Sequence, residues 1–467
     1  QVKAENPGGT VIVDGGDLIQ GSAVAALSEG DAIAPVIKAM DYDFLIPGNW
    51  EVIFGSQKMR SVLASYGKPV VCANIYDEAT SSMLYPPYII KEMKGVKLGF
   101  ISYNDPEVPV RQNPVFSKGL VFKGLEDNMQ PLIKELKEEK GVDILFLVTH
   151  LGISKQIYLA DQPEIEGVDF ILGNDTHERI RKPLKRKYAQ VVEPGGFGSF
   201  VGRLDLDIKD GKVVDQRYEL IDVDPKVYPA DPVVQKIVDE QMAPYKEQMS
   251  RVLGHTTTPL YRYLVVENAL DNMITDAVRW KTGADIAISN GFRFGTPIVP
   301  DESGKAPITY SDVWNMLPVN ENVKTGKATG QQIKNWMEQE LHNVFAEKPL
   351  ERFGGWVVRF SGMELTFKAN APKGERVQSI TVGGEPLDLK KEYTMAACRR
   401  TGEPDHVLCR MPNAKDPKVL GYTVHDVIEE YLKTKGTVAP KIEGRAKALD
   451  LESPVLSQLP NVDYTFR

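Results

Sequence analysis

Residues 143–150, "DILFLVTH", and residues 168–177, "VDFILGNDTH", decide the fold. Each is a short apolar run rich in branched residues, too short for a buried helix and of the right length for a strand covered on both faces. Each also ends in side chains that bind metals or move protons: His150 after the first, and Asn174, Asp175 and His177 after the second. Working outward, "TVIV" (10–13), "DFLI" (43–46), "PVVCANI" (69–75) and "KLGFISY" (97–103) read as further strands. Between them, "EGDAIAPVIKAM" (29–40) and "EDNMQPLIKELKEEK" (126–140) space apolar residues three and four apart, as amphipathic helices do. That alternation predicts an α/β layered domain. "GRLDLDIKDGKVVDQRYEL" (202–220) alternates about Asp210-Gly211 and predicts a closing hairpin.

The chain has 467 residues, more than one ordinary core accommodates, so two domains are expected. With 42% hydrophobic and 26% charged residues, the composition is that of a folded globular protein. A net charge of -8, with "RIRKPLKRK" (179–187) as its longest basic cluster, argues against nucleic acid as a partner. No apolar run approaches the length of a membrane span. Three cysteines form neither a zinc-type spacing nor a disulfide framework, although Cys398 and Cys409 could pair. Neither the compartment nor the oligomeric state is written in the residues.

The proline-rich "DVDPKVYPADP" (222–232) marks the end of the first domain. The boundaries are read as 1–225, a linking helix over 226–252, and a second domain over 253–467. The second domain alternates a helix "NALDNMITDAVRWKTG" (268–283), a strand "DIAISN" (285–290), a helix "GQQIKNWMEQELHNVF" (330–345), paired strands and a late helix "VHDVIEEYLKTK" (424–435), which suits an α+β architecture.

In the first domain five of the strand runs are followed by polar, metal-capable groups: Asp14 and Asp17, Asn49 and Glu51, Asn74, His150, then Asn174, Asp175 and His177. Functional groups of open α/β sheets gather beyond the carboxyl ends of the strands, where the loops converge. Oxygen and imidazole donors in this mix suit Mn, Zn or Fe, and an aspartate can bridge two ions. Two ions about 4 Å apart would activate water and neutralise a phosphoryl group during in-line displacement. In the second domain, "SNGFRFG" (289–295) places Asn290, Phe292, Arg293 and Phe294 after a strand, where rings could stack on a base and Arg293 could fork onto a phosphate.

The blocks "DGGDLIQGS" (14–22), "PGNWEVIFG" (47–55), "THLGI" (149–153) and "GNDTHE" (173–178) resemble successive motifs of the calcineurin-like metallophosphatases. Those at "ENALDNMITDAVRWKTGADIAISN" (267–290), "ITYSDVWNMLPVNENVKTGKATGQQIKNWME" (308–338) and "VQSITVGG" (377–384) are similar to the 5'-nucleotidase C-terminal domain. The resemblance covers nearly the whole chain. It implies a layered metallophosphatase β-sandwich flanked by helices, followed by an α+β domain that recognises substrate. It also implies two divalent ions (Mn, Zn, Fe or Mg), hydrolysis of a small nucleotide to nucleoside and phosphate, and a periplasmic or extracellular setting.

Carried over by position, Asp17 matches the bridging carboxylate, Asn49 and His150 ligands of one ion, Asp175 the first and His177 the last histidine of the Gly-His-x-His block. Asp17, Asn49 and His150 are thereby the expected catalytic residues. The pattern departs from the family where Trp50 and Ile53 replace a histidine and an aspartate that assist the leaving group, and where "CRRTGEPDHVLC" (398–409) replaces a base-contacting segment. The family's opening Asp-x-His strand is not in the chain. A central strand left out would orphan buried backbone groups, so the native protein is expected to carry it. Trp50, "GFRFG" (291–295) and "GEP" (402–404) are also similar to the sulfur-oxidation thiosulfohydrolases. The alternatives are accordingly an enzyme acting on a carrier-protein thiol, or a catalytically impaired nucleoside-binding protein.

Overall fold

The computed structural model describes residues 1–291, 295–352, 355–400 and 402–451, with the backbone of 462–463. The chain separates into two compact units that divide between Pro244 and Tyr245.

In the first unit the long apolar runs become a six-stranded sheet. Its order is Leu184–Lys185, Gln190–Val192, Phe170–Gly173, Ile144–His150, Val96–Asn104 and Tyr88–Met93. The four inner strands are parallel and the two edge strands antiparallel. The parallel register sets Asn104 opposite His150 and Thr149 opposite Gly173, so these strands end at one level. Every residue of Ile144–His150 is buried, which explains why that run reads as continuously apolar. Phe100 stacks on Phe146 (4.8 Å between centroids) and Phe146 on Phe170 (5.5 Å), and Phe44, Ile46 and Val71 complete this core. The hairpin Phe200–Lys209 and Lys212–Asp222 turns at Asp210 and Gly211, both at positive φ, and adds Leu204, Leu206, Ile208 and Val213 to the same core.

Three expected strands are shorter than their sequences suggest. Val13–Asp14 and Phe44–Leu45 form a two-residue parallel pair. The run 69–75 is extended but changes partners: Val71 N donates to Leu45 O, Cys72 N to Pro86 O and Ala73 N to Ser102 O. Backbone satisfaction by several neighbours replaces a single ladder. The segment after the hairpin forms a helix over Pro232–Met242, capped by Asp231 Oδ1, which accepts from the backbone of Val233 and Val234.

The second unit has a mixed five-stranded sheet in the order Arg359–Ser361, Ile286–Ser289, Glu392–Cys398, Asn322–Thr329 and Lys415–Thr423. Helix Ala269–Thr282 begins at an Asn268 cap and ends at left-handed Gly283, while Gly330–Phe345 and Val424–Lys435 each start with a capping box. Leu270, Met273, Ile274, Val427, Ile428 and Leu432 bury the first and last of these helices in one core. The fold class is α/β, as expected. Cys398 and Cys409 are not paired, and Cys72 is free as well. Among the described residues no helix is long and apolar enough to cross a membrane.

Candidate metal centre

The level strand ends of the first unit bring four side chains to one point. His150 closes its strand, and its Nδ1 lies 2.7 Å from Gly15 O. A carbonyl can only accept, so Nδ1 carries a proton, and Nε2 faces inward, where loss of its own proton would offer a lone pair to an ion. There Nε2 lies 3.0 Å from Asp17 Oδ2, 3.6 Å from Asp175 Oδ1 and 3.1 Å from Asn49 Oδ1. The ligand atoms of Asp17, His150 and Asp175 all lie within 4.8 Å of one another.

This donor set fits a divalent cation. Ligands held at about 2.1 Å around a tetrahedral or octahedral ion lie about 3.0–3.4 Å apart, close to the separations found. The Asn49 amide makes the same point. With its oxygen toward the centre it faces only acceptors, which a cation in their midst would satisfy. With the amide turned over, Nδ2 donates to Asp17 Oδ2 (3.1 Å) and Asp175 Oδ1 (3.3 Å), and the oxygen accepts from Gln112 Nε2 (2.7 Å). Electrostatics agree. Burial works against a charge on His150, yet Asp17, Asp175 and the Gly15 carbonyl lift it to about 10. The centre thus demands positive charge, which a bound ion would supply in place of that proton.

The backbone is shaped around these ligands. Asp17, Asp175 and His177 all adopt positive φ (67°, 95° and 59°), a costly conformation for non-glycine residues that clusters at functional sites. At Gly48 a side chain is excluded, because a Cβ would stand 2.2 Å from Asp17 Oδ1 and 2.7 Å from His150 Cε1. Trp50 N donates to Asp17 Oδ1 at 2.7 Å and fixes that carboxylate's second oxygen.

Several residues singled out in the sequence have other duties. Glu51 is buried and does not join the ligands; its two oxygens accept from the backbone N–H groups of Asp17, Leu18, Ile19 and Gly48. Burial, reinforced by Asp17, raises its carboxyl to about 7. Asn74 is spent on the backbone of Asn104 and Lys123, Asn174 on Thr149 O, and Asp14 on Gly16 N. His177 lies outside the converging group, edge-on to Phe197 at 4.8 Å. In the second unit Asn290 follows the strand Ile286–Ser289, and its carbonyl accepts from Trp356 Nε1 at 2.8 Å. Phe292, Arg293 and Phe294 lie outside the described residues.

Conversely, the sequence reading passed over Asp105 and Arg111. Arg111 Nη1 donates to Asp105 Oδ2 (2.6 Å) and Nη2 to Asp175 Oδ1 (2.8 Å). Lys155 Nζ reaches Asp105 Oδ1 at 3.0 Å and also pairs with Glu107. Asn104-Asp105 follows the strand Val96–Asn104, so the strand-end rule that flagged the other residues would have found it. Burial opposes the charge on Asp175, but Arg111 and then His150 outweigh it and hold that carboxyl below its usual range.

A family model for the 5'-nucleotidase C-terminal domain matches residues 252–399. The chain is 25% identical to the trifunctional nucleotide phosphoesterase protein YfkN of Bacillus subtilis, over 94% of this chain and 33% of that protein, so it spans a third of that relative's length. It is 24% identical to a 5'-nucleotidase of Vibrio cholerae, over 83% of this chain and 76% of the relative. Among solved structures, a Thermus thermophilus sulfate thiohydrolase SoxB in complex with glycerol superposes with a TM-score of 0.86 at 25% identity, covering 94% of this chain and 79% of that one. The fold, the matched C-terminal domain and these likenesses together support the two-domain 5'-nucleotidase and metallophosphatase superfamily for this chain.

Proposed function

We infer that the protein is a divalent-metal-dependent phosphoesterase that releases phosphate from nucleoside monophosphates. The observation that carries this reading is the convergence of Asp17 Oδ2, Asn49 Oδ1, His150 Nε2 and Asp175 Oδ1, with His150 locked by Gly15 in the tautomer that ligation needs. These four side chains would hold one ion (Mn, Zn, Fe or Mg), which when bound polarises a phosphoryl oxygen and makes hydroxide available near neutral pH. The protein's own part is positioning. Glu51 ties the Asp17 loop to the Gly48 turn, and the Trp50 backbone orients Asp17, so that two ligands from distant segments keep one geometry. The segment 290–294 in the second unit, within the matched C-terminal domain, is the proposed seat of the nucleoside. A periplasmic or extracellular setting belongs to the same proposal, with cell fractionation as its check.

A second reading is favoured by Trp50 and by the likeness to the sulfate thiohydrolase. An indole offers no proton to a leaving group. A thiolate, whose conjugate acid has a pKa of about 8.5, leaves without one, whereas a nucleoside alkoxide does so far less readily. Hydrolysis of nucleoside monophosphates and an aryl phosphate, after metal removal and reloading with each ion, tests the first reading. Metal-dependent phosphate release that Asn49→Ala and His150→Ala abolish is the expected result. No release with any metal would reject it and leave the thiol-linked substrate or a nucleoside-binding protein without turnover.

A further inference from the structure

Asp175 and His177 flank Thr176, and both hold positive φ (95° and 59°). Strained backbone of this kind persists only where its surroundings over-determine it, and the hydrogen bonds show what holds this loop. Thr176 Oγ1 accepts from Ile153 N at 2.8 Å and donates to Glu193 Oε1 at 2.9 Å. The same Oε1 accepts from Glu178 N at 2.9 Å, so Glu193 grips the loop on either side of His177. Glu193 is fully buried and directly follows the strand Gln190–Val192, which pairs in parallel with Phe170–Gly173. We propose that Glu193 and Thr176 are positioning residues of the metal centre, which together fix the separation of His150 from Asp175 although neither is a ligand. The inference rests on the metal-centre reading and adds what sets the geometry of that centre.

The Thr176 hydroxyl is the joint between two ligand-bearing loops. Ile153 follows His150 in one of them and opens the helix Ile153–Leu159, while Thr176 follows Asp175 in the other. A second tie runs alongside, with Gly152 N donating to Asn174 O at 2.9 Å and Gln156 Nε2 donating to the same carbonyl at 3.0 Å. The loops also touch closely at Gly152 (φ 78°), where a Cβ would stand 2.8 Å from Thr176 Cγ2 and 2.9 Å from Asp175 Oδ2. His150 Nε2 and Asp175 Oδ1, 3.6 Å apart, are thus related by a short path of ties and not by the sheet alone. A hydroxyl suits the joint because it accepts from a backbone N–H while donating to a carboxyl. Glu193 has only to present an acceptor oxygen to Thr176 and Glu178, which a carboxyl in either form, or an amide, can do.

The test measures Mn²⁺ affinity by calorimetric titration, and urea stability of the metal-free protein, for wild type, Thr176→Val, Thr176→Ser, Glu193→Gln and Glu193→Ala. Thr176→Val keeps the volume but loses both bonds, so Mn²⁺ must order the loop as it binds, and affinity is expected to fall about five- to fiftyfold. Thr176→Ser keeps the hydroxyl and Glu193→Gln keeps the acceptor, so both are expected to stay within about threefold of wild type, while Glu193→Ala falls as Thr176→Val does. Thr176→Val carries the comparison if Glu193→Ala does not fold. Wild-type Mn²⁺ affinity in Thr176→Val or in a folded Glu193→Ala, even with lowered stability, overturns the proposal, because the ties would then serve the fold alone. A serine variant that loses as much affinity as the valine one overturns it as well. A wild-type protein that binds no divalent ion would instead reject the metal-centre reading itself.

Discussion

Replacing Glu51 with Gln probes whether the metal site is built by a carboxylate that never touches the metal. Oε2 accepts from the N–H groups of Asp17 (2.9 Å) and Gly48 (2.6 Å), and Oε1 from those of Leu18 (2.8 Å) and Ile19 (3.4 Å). A glutamine keeps one oxygen, so one pair of donors would face an NH₂ group. Each buried donor left without an acceptor costs about 1–3 kcal/mol, which gives a loss of at most about 2–4 kcal/mol after partial relaxation, because the neutral amide also relieves a buried charge where the wild-type carboxyl is ionised. The comparison belongs at pH 8, above the value of about 7 to which burial and Asp17 raise the wild-type carboxyl, so that the reference is ionised. The assay is urea unfolding of the transition that Mn²⁺ shifts, with Mn²⁺ affinity measured alongside. Because the lost bonds hold both Asp17 and the Gly48-Asn49 turn, affinity is expected to fall together with stability. A variant within about 0.5 kcal/mol of wild type and with unchanged Mn²⁺ affinity would refute the clamp.

Gly48→Ala should lower Mn²⁺ affinity about five- to hundredfold, since a Cβ 2.2 Å from Asp17 Oδ1 must push a ligand aside at a cost of about 1–3 kcal/mol; tight binding by a well-folded variant would contradict this. Burial raises Glu193 from its ordinary 4.5 to about 8, so the folded state keeps a proton that the unfolded chain releases. Its contribution to stability is therefore lost as pH rises from about 4.5 to 8, and the metal-free protein should melt at lower temperature at pH 8 than at pH 5, with Glu193→Gln flattening the decline. Phenyl phosphate, whose leaving group has a pKa near the phenolic value of about 10, should turn over faster than a nucleoside 5'-monophosphate, because Trp50 gives the alkoxide no proton; equal rates would show another acid at work.

Much of the fold was legible because its signals are local. The continuous run at 144–150 could only be a strand buried on both faces, Asp210-Gly211 could only turn a hairpin, and Thr329 with Gln332 or Thr423 with Asp426 announce helix starts through their own hydrogen bonds. The rule that polar groups after strands gather at one edge also picked out Asp17, Asn49, His150 and Asp175 as residues that meet. It failed to separate these from Glu51 and Asn74, which occupy equivalent places in the sequence. A carboxylate or amide reads the same in one dimension whether it faces an ion or a row of backbone N–H groups.

By itself, then, the sequence determined the long buried strands, the hairpin, the α/β class and most of the side chains at the strand ends, since periodicity and turn chemistry depend on near neighbours. Only the tertiary structure decided which of them converge. The parallel register that sets Asn104 against His150 brings Asp105 and Arg111 beside Asp175, 64 residues from Arg111 along the chain, and no local pattern encodes that encounter. The charge balance of the site is a property of that register, because a guanidinium acts on a carboxylate through distance in space and not through position in sequence.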